Sequence, residues 1–268
     1  MVLPKVIKEP EFNEPRFLLL VSAPKVGKTS NLMALPNSLL IDLENSSGYF
    51  RGMSIDVMKE SKIEGVSPLR MLGQIRTAIG DEMKESGKSP YDFIILDSAT
   101  ILEDLAAELA TITYKKTVAG KSFAGTNVVT DLPQGAGYGW LREAMTEIIT
   151  PFLSLANKAV ILVVHLKDKD IMKDNVSITT KDLNLTGKLK LTIPAKADGL
   201  CRMYRNDKNQ NILSFKSADS EGVSFGIREP KPRLHQTEFV ISEMIDGNLH
   251  TYWENVFPSI SKSTNKQK

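Results

Sequence analysis

At 268 residues the chain is long enough for one large α/β domain or two small ones, and 41% hydrophobic with 25% charged residues excludes a disordered polymer. No apolar stretch approaches the ~20 residues of a membrane span. One cysteine, Cys201, and three scattered histidines, His165, His235 and His250, exclude a disulfide framework and a cysteine-rich zinc site. Lys plus Arg number 34 against 32 Asp plus Glu, a net charge of +2, so any polyanionic partner must be held by local positive charge.

Residues 1–15 carry three prolines and mixed charge without an apolar run. They read as a leader, not a secretory signal, and with the lone cysteine they point to the cytoplasm and to no membrane role. Continuous apolar runs predict strands at 17–21, 39–43, 93–96 and 159–164, as in a parallel sheet covered on both faces. Further strands are expected at 199–204 and 212–215. Helical spacing joins Leu69, Leu72, Ile75, Ile79 and Met83, then Ile101, Leu102, Leu105, Leu109 and Ile112. It also joins Leu141, Met145, Ile148, Phe152 and Leu155, with Pro151 expected to bend that helix. The pattern divides into a leader (1–15), an α/β core (16–230), a C-terminal extension (231–258) and a polar tail (259–268) expected to be disordered. The extension alternates apolar residues around Asp246-Gly247-Asn248, a hairpin signal.

Parallel sheets place ligands beyond the carboxyl ends of their strands, so those ends carry the functional reading. After the first strand stands Ser22-Ala23-Pro24-Lys25-Val26-Gly27-Lys28-Thr29, followed by Ser30. This is the phosphate-binding loop pattern with Ser22 in place of its first glycine. Backbone amides curl around a β-phosphate, Gly27 permits close approach, Lys28 spans the β- and γ-phosphates, and Thr29 offers Mg²⁺ a hydroxyl. Residues 93–96 lead into Asp97-Ser98, the place for a carboxylate that holds Mg²⁺ through water. Residues 39–41 lead into Asp42-Leu43-Glu44; Glu44 is the candidate that activates the attacking water, and Asp42 is structural. His165 ends the next apolar run and is placed to sense the γ-phosphate.

In this order the four blocks 22–29, 41–44, 94–98 and 163–167 resemble a RecA/RadA-type P-loop ATPase core, over about residues 17 to 228. Within that type they resemble the phage-encoded RecA-like ATPases of the Sak-type single-strand annealing group. The resemblance implies a RecA-like core with a mostly parallel sheet flanked by helices, ATP and Mg as cofactors, and single-stranded DNA as partner. It implies a homo-oligomer, ring or filament, with ATP at subunit interfaces, working with a single-strand-binding protein. It assigns Glu44 to the catalytic glutamate block, and His165 to the position that couples nucleotide state to the DNA-binding loop. For a cation reaching into a neighbour's site, Lys216 and Arg228 are the candidates.

Two non-periodic stretches, 114–138 and 166–190, read as long loops, and in the resembling family such loops grip single-stranded DNA. Lys115, Lys116 and Lys121 lie in the first; Lys167, Lys169, Lys173, Lys181, Lys188 and Lys190 lie in or at the end of the second, among four aspartates. Lysines on flexible loops can track phosphates, and Tyr114, Phe123, Tyr138 and Trp140 could stack on bases or belong to the core. A helicase or helicase loader, a non-catalytic nucleotide-gated module and a small-molecule kinase remain the rival readings.

Overall fold

Residues 13–123, 128–173, 176–216 and 236–260, with residues 7, 9 and 11, are described by a computed structural model. In chain order the first half holds β1 (Phe17–Ser22), α1 (Lys28–Met33), β2 (Ser38–Asp42), β3 (Met53–Asp56), α2 (Val57–Ile63) and α3 (Pro68–Ser86). Next come β4 (Phe93–Asp97), α4 (Ala99–Lys115), α5 (Gly137–Leu153), β5 (Ala159–Lys173) and β6 (Val176–Leu183). The chain continues with α6 (Leu189–Lys196), β7 (Gly199–Arg205), β8 (Asn211–Ser214), β9 (Glu238–Ile245) and β10 (Asn248–Thr251). Every residue of β1, β2 and β4 is buried, which is why these strands read as unbroken apolar runs.

The sheet has ten strands in the order β10-β9-β8-β7-β1-β5-β4-β2-β3, with β6 hanging on β5. From β7 through β3 neighbouring strands are parallel; β8, β9 and β10 continue the sheet antiparallel. Successive residues of β1 feed opposite faces. Phe17, Leu19 and Val21 pack with α3, α4 and α5, whereas Leu18 and Leu20 pack with Leu32 of α1 and with Phe239, Trp253, Val256 and Phe257 from the C-terminal segment. This is the expected α/β architecture: a mostly parallel central sheet flanked by helices. No helix of the described residues is long and apolar enough to cross a membrane.

Local chemistry explains the element ends. Ser67 caps α3 by accepting from the Arg70 amide at 3.2 Å, Pro68 supplies a preset first turn, and Gly87 closes the helix at φ 76°. Asp246 and Gly247 both take positive φ, 50° and 78°, so the expected hairpin turn joins β9 to β10 in the form that matches strand twist. Pro151 lies in the last turn of α5, which ends at Leu153. The helix therefore stops there rather than bending and running on through Leu155.

The two expected long loops are corrected. Residues 166–173 and 176–183 pair as antiparallel strands, because β5 runs past the sheet to Lys173 and β6 pairs back along it from Lys173↔Val176 to Leu166↔Leu183. Alternating charge hid the strand, since outside the core neither face has to be apolar. The described parts of 114–138 are short 3-10 turns at Ala119–Ser122, Val129–Asp131 and Pro133–Gly135 between α4 and α5. A methyl group on Gly137 would come 1.7 Å from the Val129 carbonyl oxygen, so the segment is pressed onto the start of α5. The tail also begins later than expected: Ser259 donates its amide and hydroxyl to the Glu14 carboxylate, and Ile260 packs on the core. The remainder of the tail, 261–268, lies outside the described residues.

Trp253 ties the C-terminal extension to the phosphate loop. Its ring is 1% exposed, and its indole N–H donates to the Asn31 carbonyl of α1 at 3.0 Å. Trp253→Ala is expected to cost about 3–5 kcal/mol in urea denaturation, on the scale of deleting a buried aromatic ring.

Candidate active site

Four parallel strands deliver the site. Register places Ser22 of β1 beside His165 of β5 on one flank and Met203 of β7 on the other, while Asp42 of β2 pairs with Asp97 of β4. The strand carrying the loop and the strand carrying Asp97 are separated by β5 alone. The polar groups expected at separate strand ends thus meet at one edge of the sheet.

Ser22 is fully buried, and its hydroxyl donates to the Ala23 carbonyl at 3.0 Å. Lys25 and Gly27 adopt positive φ, 63° and 90°, turning the chain from β1 into α1. The Gly27 carbonyl accepts from the Ser30 hydroxyl at 2.9 Å and the Asn31 side-chain amide at 2.7 Å, which fixes the loop's exit. Lys28 is only 9% exposed and donates to the Ala23 carbonyl at 3.4 Å. Burial lowers its ammonium pKa, while the charges of Asp97 and Glu44 pull it back up.

Asp97 is 1% exposed, and its Oδ1 has no hydrogen-bond partner among the described residues. Burial first, then the negative charge of Glu44, push its carboxyl up to about 6. Glu44 accepts from the Ser98 hydroxyl, and its Oε1 lies 2.7 Å from His165 Nε2. The His165 hydrogen bond is the main cause of its lowered pKa. Glu44, Asp97 and His165 bring ligand atoms within 4.8 Å of one another.

The residues present fit magnesium. An orphaned, buried carboxylate oxygen on Asp97 and the half-buried Thr29 hydroxyl are hard oxygen donors, and Mg²⁺ is satisfied by few protein ligands because it keeps much of its water.

Asp42 takes the structural role the sequence suggested, and Ser98 has one that the sequence reading did not assign. Asp42 is fully buried and accepts the amides of Glu44, Ser46 and Ser47 at 2.9, 2.7 and 2.7 Å, winding the loop that presents Glu44. The signal was its place ahead of Asn45-Ser46-Ser47-Gly48, a turn-forming run that an aspartate readily organises. Ser98 was visible only as the residue after Asp97.

Of the expected DNA-facing lysines, three are engaged with carboxylates. Lys169 and Lys190 both pair with buried Asp182, and Lys181 pairs with Asp168, because the strand pair sets opposite charges side by side. Lys167 is exposed and stands opposite Asp182 in register. Lys115 sits 5.9 Å from the Phe123 ring centroid, while Lys116, Lys121 and Lys188 are exposed. The Lys173 side chain and Arg228 lie outside the described residues; Lys216 is paired with Glu238 of its own chain. Tyr114 meets Phe123 and Trp140 edge-on at 5.5 and 5.6 Å, so these rings pack on one another. Tyr138 lies against Gly135 and Gly187.

The raised carboxyl of Asp97 has a stability consequence. It titrates near 3.8 in the unfolded chain and near 6 in the fold, so between these values the folded protein holds the extra proton. Stability therefore falls as pH rises through that window, and the penalty persists above it. Asp97→Asn should raise ligand-free stability by on the order of 3 kcal/mol near neutral pH, with little effect near pH 4 or below, in denaturant melts at both pH values.

Against solved structures, the chain is similar to the RadB recombinase at 11% identity and TM-score 0.38, covering 89% of this chain and 92% of that one. It is similar to a KaiC-like protein from the hyperthermophilic archaeon Pyrococcus horikoshii at 12% identity and TM-score 0.37, covering 88% and 89%. No curated protein matches significantly. Overlap at that level adds nothing to the site's chemistry, which rests on the geometry above. The family model described as AAA domain matches residues 14–221, from the segment before β1 to beyond β8, and the chain belongs to that family.

Proposed function

We propose that the chain is a magnesium-dependent ATPase, stimulated by single-stranded DNA, that promotes annealing or recombination as an oligomer with ATP at its interfaces. The observation that carries the nucleotide part is a single one. A phosphate-loop lysine, a buried aspartate with an unpartnered oxygen and a glutamate held by two side chains occupy one edge of one sheet.

Each of the chain's own groups has a task. Loop amides and Lys28 neutralise the β- and γ-phosphates, positioned before reaction and so at little reorganisation cost. Glu44 is ionised at neutral pH as glutamates ordinarily are, the hydrogen bond to His165 lowers its pKa further, and the ionised form is the one that takes a proton from water. Ser98 and His165 fix that carboxylate's direction. Bound through Thr29 and Asp97, magnesium would add charge stabilisation at the phosphates.

Support for the DNA part comes from continuity. His165 lies on β5, and the same strand runs directly into the projecting strand pair. A strand touching Glu44 at one end and carrying lysines at the other can transmit a change at either end. Because Asp168 and Asp182 already occupy several of those lysines, DNA phosphates must displace carboxylates, and binding has to be correspondingly salt-sensitive.

Measured phosphate release should fall at least ~100-fold in Lys28→Ala, with loss of ATP binding. Glu44→Gln should keep ATP binding and lose ~100-fold in turnover; loss of both would make Glu44 a structural residue. A short oligonucleotide should accelerate hydrolysis and bind more weakly as salt rises. Turnover indifferent to DNA would leave a nucleotide-gated module or another ATPase, and salt-independent binding would contradict phosphate tracking.

A further inference from the structure

The phosphate loop has two unlike flanks. On the β5 side stand Glu44, Asp97 and His165. On the β7 side the register pairs Ser22 with Met203, so β7 continues beyond the end of β1 and its last residue, Arg205, overhangs the loop. Met203 packs in the cluster that holds Leu32 and Met33 of α1, and Val26 of the loop packs against the same cluster. Arg205, two residues on, points to that same side. Its guanidinium reaches the loop itself: a methyl group built on Gly27 would lie 3.6 Å from Arg205 Nη2, with the Ser30 hydroxyl and the Asn31 amide as its other near neighbours.

Arg205 is exposed, and no hydrogen bond or ion pair to it occurs among the described residues. Lys169, Lys181 and Lys190, at and beside the projecting strands of β5 and β6, pair with carboxylates, whereas the arginine beside the loop pairs with none among the described residues. A guanidinium is permanently charged and matches phosphate oxygens with a planar fork, so a cation left open beside a phosphate-binding backbone has an obvious acceptor once the nucleotide is in place.

We propose that Arg205 is a phosphate-chain ligand supplied in cis, gripping the bound nucleotide from the flank of the loop opposite to Glu44 and Asp97. This rests on the ATP-binding reading above and extends it. Lys28 meets the phosphates from within the loop, Arg205 closes over them from outside, and the acidic flank is left for the metal and the water. The site thereby has a second cation without borrowing one from a neighbouring subunit.

The test is a calorimetric titration of wild type, Arg205→Ala and Arg205→Lys with ATP in magnesium and, separately, with inorganic tripolyphosphate. Arg205→Ala should weaken both ligands by the same factor, about tenfold or more, and Arg205→Lys should fall between, since charge returns without the fork. The nucleotide-free unfolding midpoint should not move. If Arg205→Ala binds both probes as wild type does, or loses ATP while keeping tripolyphosphate, the assignment is wrong. Should the midpoint drop, Arg205→Gln decides: it keeps the stem and a hydrogen-bonding end without the charge, and wild-type affinity in that variant overturns the proposal. A wild-type protein that binds neither probe would instead sink the ATP-binding reading itself, a result separable from both.

Discussion

Asp97 is the group around which this end of the sheet is organised. A carboxylate at 1% exposure, with one oxygen unpartnered, pays roughly 3 kcal/mol to ionise, judged from a carboxyl pushed from 3.8 to about 6. The neighbours do not remove that penalty by a direct bond. Lys28 and His165 lower it through their charge, while Glu44 and Asp42 add to it. Such an arrangement is unfavourable for a protein that only has to fold, and favourable for one that must bind a cation at this spot, since a donor already stripped of water and partners has little to give up on binding.

The supporting structure keeps every other group near Asp97 firmly placed. Asp42, on the adjacent strand, takes three backbone amides of the loop that carries Glu44, and the Leu43 amide donates to the Asp97 carbonyl at 2.7 Å. Glu44 is then pinned a second time by Ser98 and His165. From the opposite face, Trp253 holds α1 through the Asn31 carbonyl, and Asn31 in turn holds the Gly27 carbonyl. The C-terminal extension is thus coupled to the phosphate loop by two consecutive hydrogen bonds, and its strands extend the same sheet through β8 and β9.

The features legible in the sequence were those under a local physical rule. Strands buried on both faces must be apolar throughout, which exposed β1, β2, β4 and the inner part of β5, and ligand groups must then follow at their carboxyl ends. The turn at Asp246-Gly247 was readable because both positions need positive φ. What escaped lacked such a rule. The outer half of β5 and its partner β6 alternate lysine with aspartate and threonine, a composition equally natural in a solvated loop, and only cross-strand pairing makes it a pair of strands. Edge strand β3, Met53–Asp56, is short and half-exposed, so its pattern carries no burial signal. Arg205 was invisible for another reason: its significance comes from strand overhang, a relation between residues 22 and 203 that no local window contains.

The strand pair changes what coupling between nucleotide and a polyanion has to mean here. A disordered loop would gain order on meeting DNA and would pay conformational entropy for it. Paired strands have already met much of that cost, and Lys169 and Lys181 on them are already matched to Asp182 and Asp168. On the proposed function, binding to this element would exchange one set of ion pairs for another, so its strength would depend on the difference between carboxylate and phosphate as partners, not on the count of lysines. That difference is small in free energy and sensitive to geometry. On the proposed function, a shift of β5 at His165, transmitted along a continuous strand, would be the means of tipping that exchange.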